Sequence, residues 1–130
     1  MRIFFAIFLC LLSASAFAED WARIIRFPAG TIYVNTSSIK KQGRLTTAQI
    51  LVDFRKHQTD RASKKLIRSA LSTESYNCTG KRFGSTDFTS LTGQMGRGSV
   101  IATRSNPLEL KDVPPDSLAE ARLKYVCSFK

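Results

Sequence analysis

The chain has 130 residues, carries 20 lysines and arginines against 10 aspartates and glutamates, and has a formal net charge of +10. That length suits one domain with a modest core and excludes two. The excess of cations favours acidic partners. Nucleic acid is disfavoured, because the chain lacks zinc-finger spacing, a helix-turn-helix pattern and RNP aromatics.

Met1-Arg2 makes a charged start, Ile3 to Leu12 is an unbroken apolar run, and Ser13 to Ala18 ends in an A-x-A pattern. This reads as a signal peptide over residues 1–18, cleaved after Ala18, followed by a single domain over residues 19–130. The run is shorter than the roughly 20 residues of a membrane span, so no transmembrane anchor is expected. Ile7-Phe8-Leu9 precede Cys10 where a lipid-attachment site wants small residues, so no lipid anchor is expected either. The expected location is outside the cytoplasm, in the periplasm, at the outer-membrane surface or secreted, where a disulfide persists.

Trp21 to Phe27 is rich in β-formers, Pro28-Ala29-Gly30 punctuates, and Thr31 to Asn35 forms a second strand, which together predict a hairpin. Ser37 to Gly43 reads as a polar connection. Arg44 to Phe54 is the longest strand candidate, with Ala48, Ile50, Val52 and Phe54 on one face. Arg55 to Lys65 is basic and nearly devoid of apolar side chains, so it reads as an exposed loop. Leu66 to Cys78 returns to strand character, with Ile67, Ala70, Tyr76 and Cys78 pointing inward. Lys81 to Leu91 is a further strand interrupted at Gly84. Gly93, Gly96 and Gly98 space a turn before the strand Ser99 to Thr103, and Leu108 to Leu110 is a short extended piece.

Pro114-Pro115 forbid an earlier helix start, and Ser117 with Glu120 forms an S-x-x-E capping box. The helix that follows places Leu118, Ala121 and Tyr125 on one face and Ala119, Leu123 and Val126 on the next, with Arg122 and Lys124 outside the stripe. Alone it is too short to persist in water, so it must pack on the sheet. Of the three cysteines, Cys10 falls in the signal peptide, which pairs Cys78 with Cys127. Such a bridge closes a loop of about 50 residues and contributes roughly 4 kcal/mol in chain-entropy models. The expected fold is α+β, a single antiparallel sheet of about five to six strands with one C-terminal helix packed on a face and tethered by that disulfide.

Catalytic chemistry is thin. His57 is the lone histidine, in a basic segment with Asp53 and Asp60 near in sequence, and reads as a solvated loop residue. Asp112 and Asp116 flank the prolines beside the helix cap. The spacing Gly93-x-x-Gly96-x-Gly98 leads into a strand and not a helix, so it is a hairpin turn and not a phosphate loop. No catalytic residue, metal ligand set or cofactor site is expected. The candidate binding surface is basic: Lys40, Lys41 and Arg44 near the start of the long strand, and Arg55, Lys56, Arg61, Lys64 and Lys65 beyond its end. Its attraction to an acidic protein or glycan would weaken with ionic strength. Unpaired edges of a small sheet permit a homodimer, and edge charges oppose one.

Trp21, the hairpin segment Gly30-Thr31-Ile32-Tyr33-Val34-Asn35, Ser38-Ile39, Tyr76-Asn77-Cys78, the glycine-spaced turn, Pro114-Pro115-Asp116-Ser117 and Tyr125-Val126-Cys127 occur in an order and spacing that resemble the bacterial surface-adhesin protein E family. The resemblance spans nearly all of residues 19–130. It implies an antiparallel sheet crossed on one face by a disulfide-tethered helix. It also implies a non-enzymatic protein that binds host matrix and plasma proteins such as vitronectin, laminin and plasminogen. The family's archetype is displayed on the outer membrane by a lipid anchor, whereas this chain offers no lipid site. An envelope protein confined to the periplasm, with a structural, protective or hydrolase-inhibiting role, is the alternative.

Overall fold

The structure, a computed structural model, describes residues 20–129, so the expected signal peptide and its cleavage point lie outside the described residues. Eight strands, β1 (Trp21–Phe27), β2 (Gly30–Asn35), β3 (Lys40–Gln42), β4 (Leu45–Thr59), β5 (Leu66–Asn77), β6 (Arg82–Leu91), β7 (Val100–Ser105) and β8 (Lys111–Asp112), precede one helix, α1 (Leu118–Ser128). They form a single antiparallel sheet in the order β1-β2-β4-β5-β6-β7, with β3 on β4 and β8 on β6. The α+β expectation holds, but the sheet has eight strands and not five to six. The uncounted strands β3 and β8 are short and wholly exposed. Backbone pairing holds them, with the exposed Arg82–Asp112 ion pair added at β8, so no hydrophobic alternation marks them in the sequence.

A second correction concerns residues 55–65. Strand β4 continues through Arg55, Lys56 and His57 to Thr59, and only the segment from Asp60 to Lys65 is a turn. A hairpin that projects past the core is held by ladder hydrogen bonds and needs no buried face, so its polar composition misleads. The extended piece near Leu108 shifts as well, since the strand that pairs with β6 is Lys111–Asp112.

Strand β1 turns into β2 through Pro28 and Ala29, with Phe27 opposite Gly30. Glycine is required there, because a Cβ at Gly30 would overlap the Asp53 carbonyl oxygen of the neighbouring strand. One face of the sheet carries Ile32, Val34, Ala48, Ile50 and Tyr76, which pack with Leu123 and Val126 of α1 into the main core. Ala48, Ile50 and Val52 share this face as the alternation predicts, with Val52 at the core's margin. In β5, Ala70 and Tyr76 are buried as expected, but Ile67 falls on the opposite face, in step with Ser69 and Leu71. That second face is also covered. The turn after β6 folds back so that Gly96, at φ 74°, lies against Leu51 and Leu71. Ser69 Oγ donates to Gly93 O at 2.6 Å and accepts from Gly96 N at 2.9 Å, and Asp53 accepts from Met95 N at 2.7 Å.

Helix α1 begins as the capping box predicts. Ser117 Oγ accepts from Glu120 N at 3.1 Å, while the Glu120 carboxylate takes the Asp116 N–H, one residue before the cap. Lys124 also holds the Glu120 carboxyl below its ordinary range, with the Asp116 N–H adding to the effect. The far end is bonded to the sheet: Cys78, just past β5, joins Cys127 in the last turn, with Cα atoms 5.7 Å apart. Between these ends Arg122 turns inward. Its Nε lies 3.2 Å from the buried Glu74 carboxylate, which also accepts the Tyr76 hydroxyl at 2.7 Å. The Arg122 guanidinium sits over the Phe83 ring at 5.7 Å. Burial, then the Glu74 charge, push the Tyr76 hydroxyl well above its ordinary pKa.

Candidate binding surfaces

The predicted basic residues lie along one strand but not in one place. Lys40 and Lys41 sit on β3 and Arg44 in the turn into β4, whereas Arg55 and Lys56 lie near the far end of β4. At about 3.4 Å per residue the two groups are separated by roughly 35 Å, so they form two surfaces.

The larger surface is a β4–β5 arm. Regular pairing ends at Asp53 opposite Ser69 and resumes, after a bulge on β4, at Gln58 opposite Ile67 and Thr59 opposite Leu66. The bulge is anchored on the β1–β2 turn: the Arg55 and Lys56 N–H groups both donate to Ala29 O, at 2.8 and 3.3 Å, and the Arg55 guanidinium donates to Pro28 O at 2.9 Å. At the tip, the Asp60 carboxylate accepts from the Ser63 hydroxyl at 2.7 Å and the Ser63 N–H at 2.9 Å. These bonds hold its carboxyl below the ordinary range, and the field of Arg104 adds to them. Lys64 adopts φ 64°, and its N–H closes the turn on Asp60 O at 2.8 Å. The one carboxylate of the tip is therefore engaged within the turn and leaves its cations unneutralised.

Arg55, Lys56, Arg61, Lys64 and Lys65 are all exposed, and the ion pairs among the described residues, Arg82–Asp112, Arg122–Glu74 and Lys124–Glu120, use none of them. Two further cations join the arm's surroundings without having been singled out from the sequence. Arg68 is exposed at the start of β5, and Arg104 of β7 is near enough to Asp60 to act on its carboxyl. Arg68 lies in a segment read as strand, and Arg104 comes close only through sheet order, which composition does not encode. His57 makes no side-chain hydrogen bond or ion pair among the described residues. Asp53 is engaged by Met95 and Asp60 by Ser63, so neither orients it as a base. The arm presents exposed positive charge outside the ion pairs of the described residues. It assembles no nucleophile, base and orienting group among the described residues.

The smaller surface, around Lys41 and Arg44, rims a groove of about 740 Å³ beside the Cys78–Cys127 bridge. Lys40 does not line it. No group of three or more histidine, cysteine, aspartate or glutamate side chains able to hold a metal occurs among the described residues, and no described helix is long and apolar enough to cross a membrane.

These features define a disulfide-tethered sheet-and-helix domain that presents cationic surfaces. The surface-adhesin protein E family model matches residues 21–128, and the chain belongs to that family. Its fold is similar to that of Haemophilus influenzae protein E. One crystal form of that protein superposes with a TM-score of 0.68 at 15% identity over 84% of this chain and 87% of that one. A second structure gives 0.66 at 15% identity over 84% of each chain. Protein E from non-typeable H. influenzae gives 0.64 at 15% identity over 84% of this chain and 76% of that one. No curated protein matches the chain by sequence.

Proposed function

We propose that the chain is an exported binding module of the adhesin type, without enzymatic activity, whose β4–β5 arm engages acidic surfaces of host matrix or plasma proteins or acidic surface polymers. One observation carries this reading: Arg55, Lys56, Arg61, Lys64 and Lys65 project on a hairpin arm whose tip carboxylate, Asp60, is bonded within its own turn. Such an arm attracts anions over about a Debye length, and the attraction fades as salt rises.

The test is binding to immobilised heparin and to vitronectin, laminin and plasminogen at low and high salt. Lys64→Glu with Lys65→Glu reverses two of the charges at the tip and should weaken binding at least tenfold at low salt while the melting temperature stays unchanged. Equal binding by the variant removes the arm from the function.

The residues around Cys10 favour a second reading, a periplasmic envelope protein, because they lack the small residues of a lipid-attachment site. Treating intact producing cells with external protease separates the two, with a periplasmic protein as control. Cleavage supports surface display. Protection until the outer membrane is opened supports the periplasmic role.

A further inference from the structure

The groove at the opposite end of β4 from the arm combines three properties that the arm lacks. It is concave, and its volume of about 740 Å³ falls in the range of small-ligand sites. Its walls are fixed. One is the end of β5 and the Asn77–Gly80 turn, in which Asn77 Oδ1 accepts from Gly80 N at 2.9 Å. The other is the last turn of α1, and the Cys78–Cys127 bridge joins the two. Thr46 of β4 completes the floor, its Oγ1 lying 3.8 Å from Cys78 Sγ.

The lining is also divided by chemistry. Ile39, the disulfide and Phe129 supply an apolar surface above the buried Val126, with the Phe129 side of the groove open, since that residue is 43% exposed. Lys41 and Arg44 stand on the same rim. No acidic residue lines the groove, and neither cation takes part in an ion pair among the described residues. Two cations beside an apolar surface complement a ligand with an anionic head and an apolar body. A purely polar polyanion would leave the apolar wall unused, and a neutral apolar ligand would leave the cations without a partner.

We propose that this groove is a binding site for amphiphilic anions, with the charged head at Lys41 and Arg44 and the apolar body against the disulfide, Ile39 and Phe129. The site is independent of the arm and does not rest on the function proposed for it. Because the bridge holds both walls before any ligand arrives, little ordering is needed on binding.

The experiment titrates the oxidised, folded protein with 8-anilino-1-naphthalenesulfonate, an aromatic sulfonate, and with N-phenyl-1-naphthylamine, which has the same body without the sulfonate. Fluorescence reads affinity and backbone amide shifts read location. Saturable one-to-one binding of the sulfonate is expected, with shifts concentrated at Gly43, Thr79, Gly80 and Phe129, and weaker binding of the neutral compound. Lys41→Gln with Arg44→Gln should weaken the sulfonate at least tenfold and leave the neutral compound unchanged. Phe129→Ser should weaken both, and Lys64→Gln with Lys65→Gln neither. Should the double groove variant lose native amide dispersion, Lys41→Gln alone serves, with a smaller loss expected. Shifts centred on the exposed side chains of Leu66 or Phe88, or equal sulfonate affinity in the charge-neutralised variant, overturn the proposal.

Discussion

Tyr76 is the largest side chain fully withdrawn from water, yet its hydroxyl is placed against a carboxylate. The arrangement works because Arg122 supplies the opposite charge to Glu74 from the helix, so a buried acid is paired and its remaining acceptor is filled. The pH dependence follows from Tyr76. Its folded-state pKa lies above the ordinary value of 10.0, first through burial and then through the Glu74 charge. A raised pKa means that the folded state holds the proton more tightly. The associated stability is therefore complete below about pH 10 and is lost as pH rises beyond it, by up to ~1.4 kcal/mol per pH unit. Tyr76→Phe should cost about 1–2 kcal/mol at neutral pH through the missing hydrogen bond. It should also flatten the decline of stability above pH 10, as read from urea midpoints between pH 8 and 11. An unchanged alkaline slope would show that other groups govern it. The burial of Tyr76 was legible in the sequence, but its two partners were not. Glu74 sits in a polar strand segment, and Arg122 falls outside the helix's apolar stripe. Their pairing depends on a helix crossing the sheet 48 residues later in the chain.

Elements with a buried face on one side were legible, because burial imposes alternation or helical spacing that residues record directly. Strands β1, β2 and the first part of β4 are of this kind, as is α1, whose proline pair and Ser117 cap mark its start. The short β3 and β8 and the outer part of β4 were not, since ladder hydrogen bonds use the same backbone groups whatever the side chains. The helix makes the clearest energetic case. It has only 11 residues, too few to persist alone, and it relies on its buried Ala119, Leu123 and Val126 and on the bridge at its end. Cys78→Ser with Cys127→Ser opens a loop with a sequence separation of 49, so roughly 4 kcal/mol of stability should be lost in equilibrium denaturation. The same variant should speed amide exchange in α1 more than in the paired centre of β4 and β5. Uniform acceleration across sheet and helix would show that the bridge stabilises the whole domain without tethering the helix in particular.

Over the whole molecule, the chain separates what holds it together from what it presents. The core lies where α1 crosses β1, β2, β4 and β5, with a smaller buried layer under the turn after β6. The arm extends past both. Its residues from Arg55 to Thr59 are exposed, as are those from Arg61 to Leu66, and its hydrogen bonds are internal apart from the Ala29 and Pro28 anchor at its base. That candidate surface was legible as a run of cations, because charge needs no fold to be counted. The distance to Lys41 and Arg44 was not, since it depends on β4 staying extended through the basic segment. Replacing residues 59–66 with a short Asn-Gly turn should therefore leave the melting free energy within about 1 kcal/mol of the parent, as for surface changes away from buried contacts. Retention on heparin should be lost to the same salt-dependent degree as with the charge reversals. The groove at the other end should still bind the aromatic sulfonate with unchanged affinity. A shortened chain that still bound heparin at low salt would move the acidic-partner site off the arm. Loss of folding would instead place the arm inside the domain's cooperative unit, which its exposed side chains and its narrow anchor at Ala29 and Pro28 argue against.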